Sequence, residues 1–336
     1  MSNTNSVSSI SPCEYTLIVD KLRAFFQSNG FLEVSVQDKL SVLSACEDPS
    51  TMSIFSYGGL VWPLPQTGQL MLERELLKNP LGPRGYFCVT TSYRNEHNPV
   101  PGRHDGIFPM VEYEMRGGVS ELAVLQRKLL DFFGFDKFYT AEYPGGEYLE
   151  VSAEFGKDRA GEREEKLRRE YGPVYFLRND ADSPTPFWNG KKLDVILHGI
   201  ETIGGAERLC NVHAMRRRFY EIDEGRYAST LFSHFTRERV EKELDDYLSL
   251  PLFERCGGGI GLLRFLSALK RSGLEYAVPY PVPRAFSGES DSDSEHPTVR
   301  DVASIFEKVV IDRVDSDKDL NILSGKEPLP LVVENK

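Results

Sequence analysis

Apolar residues recur at helical spacing near the start of the chain, at Tyr15, Ile18, Val19, Leu22, Phe25 and Phe26. Ser11 suits the cap of a helix, Pro12 its first position, and Glu14 follows the cap by three residues, as in a capping box. The pattern predicts a helix that runs up to Gly30 with one buried face. A strand is predicted next, from Phe31 to Val36.

A β-hairpin is predicted between residues 93 and 115. Its first strand ends at Arg94 and Glu96, a turn rich in Asn, Pro and Gly follows, and its second strand runs from Ile107 to Met115. Arginine forks next to the aromatic ring of Phe108 suit a nucleotide triphosphate, because arginine pairs with phosphate oxygens and a ring stacks on a base. A charged hairpin that faces solvent is the alternative. The polar residues around the turn are Arg94, Glu96, Arg103 and His104.

Three later segments have the pattern of helices. The segment from Glu121 to Phe133 is amphipathic, which indicates a core or interface helix. Residues 157–171 are densely charged with Leu167 as almost their only apolar residue, so we expect a solvated helical insertion over 155–172. The segment from His213 to Tyr220 carries three arginines, which indicates a basic solvated face. Short strands are predicted at 173–177 and 184–188.

Composition places the chain among ordinary soluble globular proteins. Its 336 residues are 40% hydrophobic and 27% charged, enough for one large domain or one and a half. No apolar run approaches the ~20 residues of a membrane span and no signal segment opens the chain, so we expect a cytoplasmic protein with no membrane contact. The five cysteines are scattered and lack Cys-x-x-Cys spacing, which indicates reduced thiols and no zinc site.

Charge distribution limits the partners. The formal net charge of −11 argues against general nucleic-acid binding, which needs a clustered basic surface. Both ends of the chain are polar. We expect a disordered segment at 1–12, and an acidic linker from residue 287 that leads into a C-terminal tail ending at 336.

Three segments resemble motifs of the class II aminoacyl-tRNA synthetases and stand in that family's order. The hairpin, with Arg-x-Glu, a loop, Arg-His, then Phe and an acidic residue, resembles motif 2. Residues 193–208 resemble the Asp…Glu…Gly-Gly…Arg block of the aspartyl and asparaginyl enzymes, and residues 257–264 resemble motif 3. Residues 278–284 resemble the Pro-x-Pro-Arg closure. The resemblance implies an α+β domain at 13–286, with an antiparallel β-sheet flanked by helices.

The resemblance also implies an ATP site. Arg94 matches the arginine that holds the α-phosphate, and Arg264 matches the arginine that holds the terminal phosphate, so these are the expected catalytic residues. Arg264 closes a glycine run whose small residues would let the backbone approach the nucleotide. Glu96 and Phe108 are expected to hold the adenine. The other expected ATP ligands are Arg103 and His104.

Asp194 and Glu201 match the metal positions of the family. Paired carboxylates near a triphosphate need a counter-ion, and hard oxygen ligands recruit Mg²⁺. The expected chemistry is in-line attack of the substrate carboxylate on the α-phosphorus, which gives an aminoacyl adenylate. Positioning and charge neutralisation would drive the reaction without a protein nucleophile.

Two positions distinguish the amino-acid substrate. Aspartyl enzymes place a lysine where this chain has Leu72 and an aspartate where it has Glu112, whereas asparaginyl enzymes resemble this chain at both. Arg208 can donate to a side-chain carbonyl and Glu112 can accept from an amide, whereas an aspartate side chain would be repelled. We therefore expect asparagine rather than aspartate. The residues matched to the amino acid are Glu47, Gln69, Glu112 and Arg208.

The acceptor is open to three interpretations. In the aspartyl and asparaginyl synthetases an anticodon-binding β-barrel of ~100 residues precedes the core, and here a dozen residues precede the predicted first helix. We therefore expect transfer of the aminoacyl group to a non-tRNA amine, with tRNA a doubtful partner. The alternatives are an aspartate–ammonia ligase that resembles the archaeal-type asparagine synthetase, and a minimal tRNA ligase or a silent paralogue.

The resemblance also implies a homodimer, in which the first helix and strand would form the interface between the two subunits.

Overall fold

The computed structural model of the chain describes residues 10–36, 40–43, 47–100, 105–155, 160–180 and 185–274. The helices are α1 (Pro12–Ser28), α2 (Gln69–Lys78), α3 (Val119–Phe132), α4 (Tyr148–Phe155), α5 (Ala160–Tyr171), α6 (Val212–Glu221), α7 (Arg226–His234), α8 (Arg237–Leu248) and α9 (Leu262–Arg271). The strands are β1 (Phe31–Glu33), β2 (Ile54–Tyr57), β3 (Leu60–Pro63), β4 (Gly85–Tyr93), β5 (Ile107–Arg116), β6 (Gly145–Glu147), β7 (Val174–Asn179), β8 (Trp188–Leu197), β9 (Ile200–Arg208) and β10 (Arg255–Gly261).

Eight strands form one sheet in the order β1-β4-β5-β10-β9-β8-β7-β6. The six central strands of this order, β4-β5-β10-β9-β8-β7, pair antiparallel with their neighbours, as predicted. The two edge pairs, β1 with β4 and β6 with β7, are parallel, so the sheet is mixed rather than purely antiparallel. Strands β2 and β3 form a separate hairpin. The predicted α+β class, a sheet flanked by helices, is confirmed.

One face of the sheet packs on the main hydrophobic core. Helices α1, α3 and α9 cover this face and bury a continuous set of aliphatic and aromatic side chains against it. The predicted stripe of α1 is buried from Ile18 to Phe26, while Tyr15 at its start is 37% exposed. The capping box is present as predicted, with Ser11 as the cap and Glu14 as its partner. Amphipathic patterning therefore identified this layer correctly.

The opposite face of the sheet carries the polar side chains. Alternate residues of β5 project there, because successive side chains of a strand point to opposite faces. Phe108, Met110, Glu112 and Glu114 share this face, while Val111 and Tyr113 lie in the core. Helix α2 and a cluster formed by α6, α7 and α8 cover one end of this polar face. The middle of the face holds the predicted site residues.

Helix α5 differs from the solvated insertion that its charge predicted. Leu167 is fully buried against β7, and Arg163 and Glu164 are also buried. The Arg163 guanidinium lies 4.7 Å from the centre of the Tyr148 ring, while Arg169 is exposed and pairs with Glu165. Leu167 and the partly buried ring of Tyr171 dock the helix, and the aliphatic part of the buried Arg163 side chain completes its buried face.

Some predicted boundaries moved. Strand β1 ends at Glu33 rather than Val36, and residues 185–187 form a turn before β8, so the strand predicted at 184–188 is wrong over those three residues. Ile10 packs against the core and Pro12 begins α1, so ordered structure starts within the segment expected to be disordered. The rest of the predicted disordered segment, residues 1–9, the predicted acidic linker and C-terminal tail at 287–336 and the closure at 278–284 lie outside the described residues. No helix among those described is long and apolar enough to cross a membrane.

Candidate functional site

The hairpin of β4 and β5 brings Arg94 next to Phe108. Arg94 follows the last residue of β4, and its backbone N–H donates to the carbonyl of Gly106 at 2.7 Å. Its guanidinium carbon lies 5.7 Å from the centre of the Phe108 ring. The Nε of Arg94 is buried and has no hydrogen-bond partner among the described residues. A buried donor without a partner is costly in a native structure, so an anion bound at this position would be stabilised by it.

A small cleft of about 40 Å³ opens beside Phe108. Arg264 stands in the first turn of α9, directly after β10, and lines the cleft opposite Phe108. The Nη1 of Arg264 donates to the backbone carbonyl of Glu201 at 2.8 Å. Glu96 is half-buried two residues beyond Arg94. The predicted ligands Arg103 and His104 lie outside the described residues. The cleft is lined by Asp105, Phe108, Gly261, Leu263 and Arg264.

A β-bulge places Glu201 on the same face of the sheet as Asp194. Val195 pairs with Ile203 and Ile196 pairs with Glu201, so Thr202 is an extra residue in β9. An extra residue reverses the alternation of side chains beyond it. The Glu201 side chain therefore turns toward Asp194, and regular pairing would have directed it into the apolar core.

The two carboxylates converge over Gly204. A Cβ built on this glycine would lie 3.3 Å from Oε1 of Glu201 and 3.5 Å from Oδ1 of Asp194. That Oδ1 is buried and has no hydrogen-bond partner among the described residues. Burial raises the pKa of Asp194 to about 7, the charge of Glu201 adds to the rise, and Lys192 opposes it.

The donor set at this position fits Mg²⁺. The described residues hold no group of three or more His, Cys, Asp or Glu side chains arranged for a metal. Mg²⁺ is commonly held by one or two protein carboxylates, while phosphate and water oxygens complete its octahedron. Asp194 and Glu201 supply such a pair, and the orphaned Oδ1 of Asp194 is where a cation would bind.

A second group of predicted residues meets at the start of α2. Glu112 accepts hydrogen bonds from the Thr67 hydroxyl, from the backbone N–H of Gly68 at 2.7 Å and from Nε2 of Gln69 at 3.4 Å. Burial raises the pKa of Glu112, and the bonds from Thr67 and Gly68 oppose that rise. Glu112 thus anchors the N-terminus of α2, where a negative charge is favoured. Gln69 is fixed by the same contacts.

Arg208 lies behind Gln69 and is fully enclosed. Its Nη2 donates to Oε1 of Gln69 at 2.6 Å, and its guanidinium also pairs with Glu114. Glu73 lies 3.5 Å from the Nε of Arg208. An arginine with no exposed side-chain surface therefore holds Gln69 in place, and Gln69 is itself buried.

Glu47 has a different neighbourhood. Its side chain is buried, and its Oε1 accepts the backbone N–H of Gln66 at 3.1 Å. The side chain of Gln66 makes two hydrogen bonds to the backbone of Asp48. Glu47 therefore fastens the loop that leads into α2, and the described contacts do not join it to Arg208 or Glu112.

The two groups lie in one row across the sheet. Glu112 pairs with Gly259, Gly259 pairs with Gly204, and Gly204 pairs with Asp194. Three strand spacings separate Glu112 from Asp194, roughly 14 Å. Gly204 leaves space beside Asp194, whereas the Met110 methyl group covers Gly259, at 2.5 Å from where a Cβ of that glycine would lie. The positive charge of Arg94 lowers the pKa of Glu112 against the effect of burial. The register therefore joins the cleft to the start of α2.

The glycine run has a role that the sequence did not indicate. A Cβ on Gly257 would overlap the carboxylate of Glu114, and a Cβ on Gly258 would overlap the carbonyl oxygen of Gly204. Cross-strand packing explains these two glycines, so they do not provide a nucleotide approach as expected. Gly261 does line the cleft, and its nearest neighbour would be the Thr202 oxygen at 3.9 Å.

Four site residues were missed by sequence reasoning. Glu73 accepts from the Tyr247 hydroxyl at 2.6 Å and from the Nε of Arg255 at 2.9 Å. Lys192 places its Nζ 2.7 Å from Oδ2 of Asp194. Spacing could have indicated Lys192, two residues before Asp194 on one strand, and Glu73, four residues after Gln69 on one helix. Nothing local indicated the pairing of Arg255 and Tyr247 with Glu73.

Comparison with known structures identifies the fold. The structure superposes on the asparaginyl-tRNA synthetase of Pyrococcus horikoshii complexed with asparaginyl-adenylate, with a TM-score of 0.61 at 18% identity over 78% of this chain and 65% of that one. The Entamoeba histolytica asparaginyl-tRNA synthetase in complex with asparaginyl-adenylate gives 0.59 at 16% identity over 78% and 64%. The chain has the fold of a class II aminoacyl-tRNA synthetase core.

Sequence comparison gives a weaker link in the same direction. The aspartate–tRNA(Asp) ligase of Pyrobaculum aerophilum is 30% identical over 145 residues, which are 40% of this chain. The match spans 31% of that relative's length, and the chain spans less than two thirds of the synthetases on which it superposes. No family model matches the chain.

Proposed function

We propose that the protein is an ATP-dependent ligase that activates asparagine, or aspartate, as an aminoacyl adenylate. The row from Glu112 through Gly259 and Gly204 to Asp194 supports this function best, because it places the proposed amino-acid residues and the carboxylate pair on one face of the sheet, roughly three strand spacings apart. An adenylate needs this arrangement, since its amino-acid and nucleotide ends meet at one phosphorus.

The phosphate end supplies charge neutralisation. Arg94 and Arg264 would hold the phosphates from the two sides of the cleft, with the adenine stacked on Phe108 beside Glu96. Arg103 and His104 join this set on resemblance alone. Asp194 and Glu201 would hold Mg²⁺, which neutralises phosphate charge when bound. Arg264 also donates to the backbone of Glu201, so the phosphate and metal positions are mechanically linked.

The amino-acid end orients the substrate carboxylate toward the α-phosphorus. Gln69 would contact the amino-acid side chain, and Arg208 acts behind it as a positioning residue. Glu112 accepts three hydrogen bonds in the structure and retains one lone-pair site for a substrate donor. An asparagine amide can supply that donor. Glu47 would act on the substrate only through the loop that it fastens.

Aspartate is the second candidate, and one observation favours it. Burial raises the pKa of Glu112, which disfavours the charged form that would repel an aspartate side chain. Leu72, used above to argue for asparagine, is fully buried in an apolar cluster beside Leu76, so no cation could reach the substrate from that position without rearrangement. An aspartate–ammonia ligase follows from this alternative.

Amino-acid-dependent ATP–pyrophosphate exchange tests the proposal. Exchange with asparagine alone supports the main proposal, and hydroxamate formation with hydroxylamine would then support an amine acceptor. Exchange with aspartate, and asparagine formation once ammonium is added, supports the ammonia ligase. Charging of total tRNA would identify a minimal tRNA ligase instead. Absence of exchange with both amino acids would refute the proposed activity.

Substitution of Arg94 tests the phosphate assignment. R94A is expected to lower the exchange rate by roughly a hundredfold or more, because it removes a charge placed for the transition state. R116A is the matched control, since Arg116 lies at the other end of β5, where it donates to the carbonyl of Asn79 at 2.7 Å. Equal exchange by R94A and R116A would exclude Arg94 from the site.

A homodimer and a cytosolic location remain part of the proposal. Strand β1 lies at the edge of the sheet and Leu32 on it is 56% exposed. Such an edge can pair with another chain. Light scattering at twice the chain mass would support the dimer, and a single-chain mass across the working concentration range would refute it.

A further inference from the structure

Lys192 lies against the two carboxylates proposed to hold the metal. Its Nζ is 2.7 Å from Oδ2 of Asp194 and 3.9 Å from Oε1 of Glu201. The side chain is 29% exposed, so the ammonium is only partly screened by water. One positive charge therefore already neutralises part of the site at which a divalent cation would bind.

The strand geometry directs this contact. Lys192 and Asp194 are two residues apart on β8 and project from one face. Opposite them on β9 stand Ala206 and Gly204, which leave room for the lysine to fold toward the carboxylates. The adjacent Lys191 projects from the other face, where its Nζ lies 3.1 Å from Oε1 of Glu207. Two neighbouring lysines thus have separate acidic partners.

The two carboxylate oxygens of Asp194 have different neighbours. Its Oδ2 is engaged by Lys192, while its buried Oδ1 has no hydrogen-bond partner among the described residues and faces Glu201. The backbone N–H of Glu201 donates to Oε2 of Glu164 at 3.2 Å, and the Glu201 carbonyl accepts from Arg264. The backbone of Glu201 is therefore held in place, and the contact that the structure gives the Asp194 carboxylate is with Lys192.

We propose that Lys192 is an internal counter-ion that keeps divalent-cation binding at Asp194 and Glu201 weak until the nucleotide is present. This inference rests on the proposed function. A divalent cation entering alone is repelled by the ammonium a few ångströms away. The phosphates of ATP offset that repulsion and attract both positive groups, so nucleotide and metal bind cooperatively.

Binding of Mn²⁺ without nucleotide, followed by electron paramagnetic resonance, tests the inference. K192M is expected to bind Mn²⁺ roughly tenfold more tightly than the wild type, because removing a unit charge near the ligands lifts a repulsion of that order. With a non-hydrolysable ATP analogue present, the difference is expected to shrink. K192Q, which keeps a polar side chain of similar length, should behave like K192M if the charge is what matters.

K191M is the matched control, because it removes the same charge from the adjacent residue on the opposite face of the strand. It is expected to bind Mn²⁺ as the wild type does. D194N should lose the tight binding gained in K192M, which would locate the ion. Equal Mn²⁺ affinity in K192M and K191M, or tight binding retained in a K192M/D194N double variant, would overturn the inference.

Failure of the proposed function gives a different result. If neither amino acid supports ATP–pyrophosphate exchange but K192M still gains Mn²⁺ affinity and D194N removes it, the lysine regulates a cation site in a protein with another activity. If exchange proceeds but K192M leaves Mn²⁺ affinity unchanged, the activity stands and the role of Lys192 is rejected.

Discussion

At the residue scale, neighbours decide what a glycine or a charged side chain does. Gly257 and Gly261 belong to the same run in the sequence, yet the first lies under the Glu114 carboxylate and the second lines the open cleft. Glu112 was expected to contact substrate, and it also anchors α2 through Thr67 and Gly68. The residue type indicated what each side chain could bind, and the neighbouring residues determined which group it contacts.

The two glycines give a stability test. G257A is expected to lower the free energy of unfolding by ~1–3 kcal/mol, because the added methyl group overlaps a buried carboxylate that cannot move freely. G261A is the control and should change it by no more than about 0.5 kcal/mol, since its nearest new contact is at 3.9 Å. Urea unfolding followed by circular dichroism measures both. Equal losses would show that the overlap at Gly257 is relieved at little cost.

At the scale of elements, regular periodicity and its interruptions both matter. The stripe and cap of α1 are visible in the sequence, and the structure contains both. The bulge at Thr202 is not visible, because no glycine or proline marks it, yet it turns Glu201 toward Asp194. Helix α5 docks through Leu167 and the aliphatic parts of polar neighbours, which a count of apolar residues does not detect.

The cap of α1 gives a second test. The Ser11 hydroxyl accepts the backbone N–H of Glu14 at 3.3 Å, and the Glu14 side chain returns to Ser11. S11A is expected to lower the free energy of unfolding by about 1 kcal/mol, since it leaves helix N–H groups without an acceptor. S28A, at the exposed end of the same helix, should have a smaller effect. Thermal unfolding followed by circular dichroism measures both variants. A loss of stability in S28A as large as that in S11A would contradict a specific contribution from the cap.

At the scale of the whole molecule, one buried ionic cluster ties distant segments together. Its charged members are Glu73 of α2, Glu114 of β5, Arg208 of β9 and Arg255 of β10, and their side chains have no exposed surface. The Tyr247 hydroxyl of α8 bonds to Glu73 and Arg255. Buried ionisable groups of this kind are tolerated only when pairing or a bound proton neutralises their charge. The cluster supports Gln69 from behind through Arg208, so the shape of the proposed amino-acid pocket depends on the fold as a unit.

The cluster predicts how stability depends on pH. Burial raises the pKa of Glu114 from 4.5 to about 8, and the charge of Arg208 opposes that rise. Between these values the folded protein holds a proton that the unfolded chain releases, so this group's contribution to stability is lost as pH rises through the window. The free energy of unfolding is expected to fall by at most about 1.4 kcal/mol per pH unit from this group. E114Q should therefore show a flatter dependence.

Urea unfolding of wild type and E114Q between pH 5 and pH 8 measures this difference. E75Q is the control, because Glu75 lies on the surface of α2 in an exposed pair with Lys78. Its pH dependence should match that of the wild type. A slope in E114Q as steep as in the wild type would show that Glu114 stays ionised through its pairing with Arg208.

The predictable part of the site was the part encoded by local order. Phe108 and Arg264 line one cleft, Arg94 lies 5.7 Å from the Phe108 ring, and Asp194 with Glu201 forms a carboxylate pair, while their roles in binding ATP and Mg²⁺ stay predictions. Arg208 was expected to contact the substrate directly and instead lies enclosed behind Gln69. Its burial depends on Glu73 and Glu114, which are far from it in sequence, so spacing could not reveal it.

The sequence by itself determined the amphipathic helices, the hairpin and the order of the three motif segments, because these depend on residues within a few positions of one another. Only the tertiary structure decided which face of β9 carries Glu201, which acid Lys192 neutralises and which residues enclose Arg208. Strand register and long-range packing set those relations, and both arise from contacts between segments that are distant in the chain.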